Sequence, residues 1–210
     1  MSAYGEDFWE RSWKRDQDRD FLSYARPYYR LSCPEIDIFR QNGVRSVCDA
    51  GCGYGAYALA LASNGFSVTA LDVSETAVEI AGRVLDRYGC PLAGRRTGSV
   101  LDTGYPDETF DGVICFSVLD HLTVPEAKKA LRELTRVTVP GGLLLLAFDA
   151  PEEDDLAREH VVLPDGSLQY ANGMVFHPYD ALAAENLLAG LPIIHRGMGP
   201  HGEFIAIVKK

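Results

Sequence analysis

The sequence predicts an α/β fold: an open, twisted sheet of about seven strands, mostly parallel, with helices on both faces. Three observations predict it. Short runs rich in Val, Leu and Ile alternate with longer Ala- and Leu-rich runs between residues 46 and 148. That order builds a parallel sheet through crossover helices. A glycine-rich turn, Gly51-Cys52-Gly53-Tyr54-Gly55, follows the first apolar run. Two later apolar runs, 192–196 and 203–208, are separated by only a short Gly/Pro-rich segment. Strands joined that closely pair antiparallel, because a parallel crossover needs a dozen or more residues. The sheet therefore gains an antiparallel strand at one edge.

Each element has a local cause. Residues 46–49 read as the first strand. Residues 54–63, rich in Ala and Leu, read as a helix closed by Asn64-Gly65. Residues 67–71 alternate and contain Val68 and Thr69, which favours a strand. Ser74 is placed to cap a helix over 77–88, with Gly89 as its stop. Residues 95–98 make a weak third strand and 112–116 a clear fourth. Residues 125–138 predict a helix ended by Pro140-Gly141, and 142–148 a fifth strand. Residues 161–163 and 167–170 flank Pro164-Asp165-Gly166, a hairpin pattern. Residues 178–189 read as a helix.

The expected organisation is a single domain. Residues 1–40 form a helical lid or cap, 41–150 the core, 151–177 an inserted hairpin or loop, and 178–210 a closing helix and strand pair. In residues 1–40, Phe8, Trp9, Trp13 and Phe21 punctuate a charged helical stretch. Either it packs on the domain as an amphipathic helix, or it closes over a site as an aromatic lid.

Composition narrows the function. The 210 residues are 47% hydrophobic and 24% charged, ordinary globular usage. The longest apolar run, 141–148, is too short to cross a bilayer, and the charged amino-terminal stretch lacks a signal-peptide core. The net charge of −10 disfavours nucleic acid, whose partners present a basic face. The five cysteines form no CxxC pair and are odd in number, so neither a zinc site nor a disulfide framework is expected. A reducing cytoplasm fits that usage.

The glycine turn carries most of the functional information. Glycines between a strand and a helix let the backbone bend sharply and approach a ligand, and the helix start offers N–H groups. Gly51, Gly53 and Ala56 also satisfy the dinucleotide fingerprint. Asp49 argues against a dinucleotide. A carboxylate at the end of the first strand repels a pyrophosphate and attracts a cationic amino group. Asp72, ending the second strand, can accept hydrogen bonds from two ribose hydroxyls, or it can cap the helix that begins near Ser74.

Residues 47–55 with Leu71-Asp72-Val73 resemble the class I S-adenosylmethionine-dependent methyltransferase superfamily. The likeness continues through Gly98-Ser99-Val100-Leu101-Asp102, residues 105–116, Val118-Leu119-Asp120-His121-Leu122 and Pro140-Gly141-Gly142, and covers most of residues 44–150. The resemblance implies a Rossmann-like fold with a seventh strand inserted antiparallel near the sheet edge. It implies S-adenosyl-L-methionine as cofactor and S-adenosyl-L-homocysteine as product. Asp49 and the backbone of Gly51, Cys52 and Gly53 would hold the methionine end. Asp72 would bind the ribose, Val73 would lie against the adenine, and Phe116 would stand near the sulfonium. Ser99 and Val100 fall where the family reads the adenine edge. The family often has an acidic residue there, so Asp102 is the alternative reader of the adenine amino group.

Methyl transfer from a sulfonium is an in-line displacement, helped by positioning and desolvation. A base is needed only where the acceptor loses a proton. The candidates are His121 and His177. His121 is either that base or a structural histidine of the family's Leu-x-His-Leu segment. Asp120 either orients His121 or stays solvated. No Asn/Asp-Pro-Pro-aromatic segment and no Pro-Cys pair after the fourth strand occurs, which disfavours amide, adenine and cytosine acceptors. A small-molecule acceptor is left. No metal is expected, because Asp149, Glu152, Glu153, Asp154 and Asp155 read as a solvated loop. Two alternatives stay open: an NAD(P)-dependent reductase using the same turn, and a non-catalytic S-adenosylmethionine-binding protein.

Overall fold

A computed structural model describes residues 6–149, 156–199 and 202–210. Seven strands form the main sheet: β1 (Ser46–Ala50), β2 (Ser67–Asp72), β3 (Gly94–Thr97), β4 (Phe110–Phe116), β5 (Thr138–Phe148), β9 (Ile193–Met198) and β10 (Phe204–Lys209). Their order is β3-β2-β1-β4-β5-β10-β9. The first five run parallel, and β10 lies antiparallel between β5 and β9. The antiparallel strand thus sits one place in from the edge.

Alternation along the strands feeds two apolar layers. On β5, Leu144, Leu146 and Phe148 face α6 (Val124–Val137) and α7 (Ala181–Leu187). Leu143, Leu145 and Ala147 face the layer of α3 (Pro34–Gln41), α4 (Ala56–Ala62) and α5 (Glu75–Arg87). Beyond β5, β6 (His160–Val162), β7 (Leu168–Tyr170) and β8 (Val175–Phe176) form a separate three-stranded antiparallel sheet. The predicted hairpin is its first pair. The third strand has only two residues and left no sequence pattern.

The amino-terminal stretch is helical. It comprises α1 (Glu6–Asp16), α2 (Phe21–Ala25) and a short turn of tighter helix at Arg26–Tyr28. Three boundaries differ from expectation. The first crossover helix starts at Ala56, because Gly53 and Gly55 are left-handed (φ 50° and 83°) and hold Tyr54 in the turn. Strand β5 begins at Thr138 and runs through Pro140-Gly141, with a shift of register against β4 that absorbs the extra residues. Helix α7 starts later than predicted, where the Asp180 side chain accepts from the Ala183 N–H. Among the described residues, no helix is long and apolar enough to cross a membrane.

Candidate active site

The strand order reverses direction between β1 and β4, and ligands of open α/β sheets bind at the carboxyl ends of strands there. The Gly51–Gly55 turn sits at this point. The Gly51 and Cys52 N–H groups donate to the Leu71 carbonyl (2.7 and 3.0 Å), and the Gly53 N–H donates to the Asp72 carboxylate (2.9 Å). Gly51 is left-handed (φ 85°), and a Cβ there would collide with the Val118 side chain. No other residue serves at that position.

Two buried carboxylates flank the turn. Asp49 is 2% exposed, and its Oδ2 has no hydrogen-bond partner. Burial, with repulsion from Asp72, pushes its carboxyl from 3.8 up to about 7. An unpaired buried carboxylate is costly, and a cation placed against it removes the cost. Asp72 accepts the Gly53 N–H and the Ser74 N–H, one on each oxygen. Each oxygen retains a lone pair for a further donor. The cap of α5 is instead the Ser74 hydroxyl, which accepts from the Ala77 N–H.

A cavity of about 300 Å³ opens over the turn. Asp49, Gly51, Cys52, Gly53, Asp72, Val73, Ser99, Val100 and Phe116 all line it. Asp102 is exposed and is not part of its wall. Much of the wall is aromatic: Trp9 and Trp13 from α1, Tyr28, Tyr57 from α4, and Phe116, with the Trp13 ring lying over Gly53. The Tyr57 and Phe116 rings stack 3.6 Å apart. Helix α1 is fastened beside the cavity by Glu10, whose carboxylate accepts from the hydroxyls of Ser74 (2.6 Å) and Thr76 (3.0 Å). Burial works against ionisation of Glu10, but hydrogen bonds from Ser74, Lys14 and Thr76 prevail and hold its pKa at about 2.

His121 reaches the same wall. Its Nδ1 lies 3.2 Å from the Val175 carbonyl oxygen of β8, and Trp9 packs edge-on against its ring at 4.8 Å. A carbonyl only accepts, so Nδ1 carries the proton, and in that neutral tautomer the lone pair is on Nε2. His177 stands elsewhere. Its Nδ1 meets the Ser167 hydroxyl at 3.1 Å, its ring packs on Tyr179, and it does not line the cavity. Burial lowers its pKa.

Asp120 corrects the expectation of a solvated side chain: it is fully buried. One oxygen accepts the Asp149 N–H and the other has no partner. Burial, which outweighs the attraction of His121, raises it to about 6. Asp149 is likewise no loop solvent group, since the Ser117 hydroxyl donates to it. The other carboxylates of that run, Glu152 to Asp155, lie outside the described residues. Among the described residues, Asp120, His121 and Asp149 bring ligand atoms within 4.8 Å of one another and are the group that could hold a metal ion.

A family profile described as a methyltransferase domain matches residues 48–146. The chain is 31% identical over 132 residues to the ubiquinone biosynthesis O-methyltransferase of Stutzerimonas stutzeri, covering 63% of this chain and 55% of that protein. It is 31% identical over 164 residues to the malonyl-[acyl-carrier protein] O-methyltransferase of Erwinia pyrifoliae, covering 78% of this chain and 54% of that one. The chain thus spans about half the length of the curated relatives it matches. The Burkholderia thailandensis 1,6-didemethyltoxoflavin-N1-methyltransferase, solved with that compound and S-adenosylhomocysteine, shares the fold (TM-score 0.72, 16% identity, 100% of this chain and 91% of that one). The resemblance to the class I S-adenosylmethionine-dependent methyltransferase superfamily is thus supported over residues 48–146 in sequence and over the whole chain in fold.

The residues fit the superfamily's cofactor. The orphaned Asp49 oxygen suits its ammonium, the Asp72 lone pairs suit ribose hydroxyls, and the left-handed glycines clear space for its backbone-like tail. The sequence reading missed Glu10, Tyr57 and Leu122. Tyr57 follows Tyr54 at helical spacing and was open to recognition. Glu10 was not, because Ser74 and Thr76 lie more than sixty residues away.

Proposed function

We propose that this protein transfers a methyl group from S-adenosylmethionine to a small molecule, with His121 as the base. The observation that carries the reading is the partnerless Asp49 oxygen at the mouth of a glycine turn. S-adenosylmethionine supplies a methyl carbon already activated by its sulfonium. Asp49 and Asp72 bind and orient it, the aromatic wall excludes water, and the His121 Nε2 lone pair accepts the acceptor's proton. Because Trp9 and Trp13 line the cavity, we read residues 6–40 as both a packed cap and the roof of the site. The acidic net charge argues for small acceptors over nucleic acid. Five free cysteines suit a reducing cytoplasm.

We read the chemistry as metal-independent. The Asp120–His121–Asp149 group already engages Asp149 N–H, the Val175 carbonyl and the Ser117 hydroxyl. Calorimetry tests the reading. S-adenosylmethionine and S-adenosylhomocysteine should bind, and NAD(P) should not. Affinity for NAD(P) alone would overturn it. Loss of turnover on chelation, restored by a divalent ion, would overturn the metal-independent part.

A further inference from the structure

We propose that the methyl acceptor is an uncharged, flat aromatic compound carrying an acidic hydroxyl; this rests on the methyltransferase reading above. The first observation is electrostatic. The charged residues that line the cavity, among the described residues, are Asp49 and Asp72, both at the glycine turn. No lysine or arginine lines it, and the residues outside the description (1–5, 150–155, 200 and 201) contain none. A carboxylate or phosphate on the acceptor would lose its water without gaining a cation. A cationic acceptor fares no better, because both carboxylates are committed to the cofactor's ammonium and ribose.

The second observation is shape. Rings from four separate elements line the cavity wall: Trp9 and Trp13, Tyr28, Tyr57 and Phe116. Val118 and Leu122 complete it with apolar side chains. Such a wall rewards a flat aromatic ligand by stacking and edge contacts. The third is the base. Nδ1–H of His121 is committed to the Val175 carbonyl, so Nε2 offers a lone pair and needs a proton donor opposite it. An aromatic hydroxyl supplies one that imidazole can accept, since the ring delocalises the oxyanion's charge. In balance, the O–H bond breaks toward Nε2 and the oxygen pair forms the bond to the methyl carbon. The S–CH3 pair stays on sulfur as a thioether, and the positive charge ends on the imidazolium.

The test is calorimetric, with protein first saturated by S-adenosylhomocysteine. Naphthol, hydroxynaphthoate and naphthylmethylamine are then titrated as neutral, anionic and cationic probes of similar size. Naphthol should bind at least about tenfold more tightly than either charged probe, as an unpaired buried charge requires. Equal or tighter binding of a charged probe, or no binding of naphthol, overturns the proposal while the cofactor reading stands. Failure to bind S-adenosylhomocysteine removes both. A Leu122→Lys variant that keeps its S-adenosylhomocysteine affinity should shift the preference to hydroxynaphthoate. An unchanged preference in that variant would place the acceptor elsewhere and overturn the assignment.

Discussion

His121 and Val175 are joined by a 3.2 Å contact between Nδ1 and a main-chain carbonyl, across 54 residues of sequence. A ring that follows β4 is therefore aimed by the small inserted sheet. The insert lies outside the cavity wall, yet it selects which nitrogen bears the lone pair.

If that lone pair takes the acceptor's proton, His121→Ala should lower kcat by about 10²-fold or more. Affinity for S-adenosylhomocysteine should stay within about twofold, since the ring lies outside the cofactor's polar contacts. Steady-state kinetics beside calorimetry separates the two effects, and intact turnover would make His121 structural.

Asp49 should make cofactor binding depend on pH. Its ligand-free value of about 7 stands above the ordinary 3.8. Ionisation therefore removes stability from the ligand-free protein as pH climbs through that interval, and a bound ammonium returns it. Affinity should rise with pH toward a plateau above about 7, with proton release on binding at lower pH. Asp49→Asn should raise the ligand-free Tm at alkaline pH, weaken binding by about tenfold or more and flatten the pH profile.

Glu10 makes the opposite prediction. Its pKa is held below the ordinary 4.5, at about 2. Its contribution is complete above 4.5 and is lost as pH falls between those values. Glu10→Ala should release α1 while leaving the sheet folded. Tryptic cleavage at Arg11, Lys14 and Arg15 would accelerate by about tenfold, the loss of a hydrogen-bonded charge. Unchanged cleavage would mean that the aromatic contacts alone hold the helix.

Gly51→Ala should cost about 2 kcal/mol or more, from a side chain in left-handed backbone and its collision with Val118. Urea unfolding measures the loss, and calorimetry should show cofactor affinity falling with it. Gly65→Ala makes the control. Gly65 is also left-handed, but no atom lies within 4 Å of its Cβ position, so it should lose stability alone.

What the sequence made legible was whatever depends on neighbours in the chain. Asp49, the glycines and Asp72 were readable because a strand, a turn and a helix start follow one another within a few residues, and Ser99-Val100 came from the resemblance alone. The cofactor half of the cavity was visible for that reason. The acceptor half was not. Its wall joins α1, Tyr28, α4 and the end of β4, with the inserted sheet standing behind His121, and no periodicity links Glu10 to Ser74 or Val175 to His121. His177 shows the converse, for a histidine near the insert in sequence turns onto Ser167 and Tyr179 in space. Asp120 misled because a lone aspartate after a strand usually meets water, whereas here Asp149 and the inserted segment cover it.

The placement of β10 between β5 and β9 imposes an order on assembly. Among the described residues, strand β9 pairs only with β10, yet it is made first by the ribosome. Until residues 204–209 emerge, β9 has no ladder to join and β5 keeps an open side. The nascent chain must therefore carry a bare, apolar strand flank at Leu143 to Phe148, a surface inviting chaperone capture, until residues 204–209 close it.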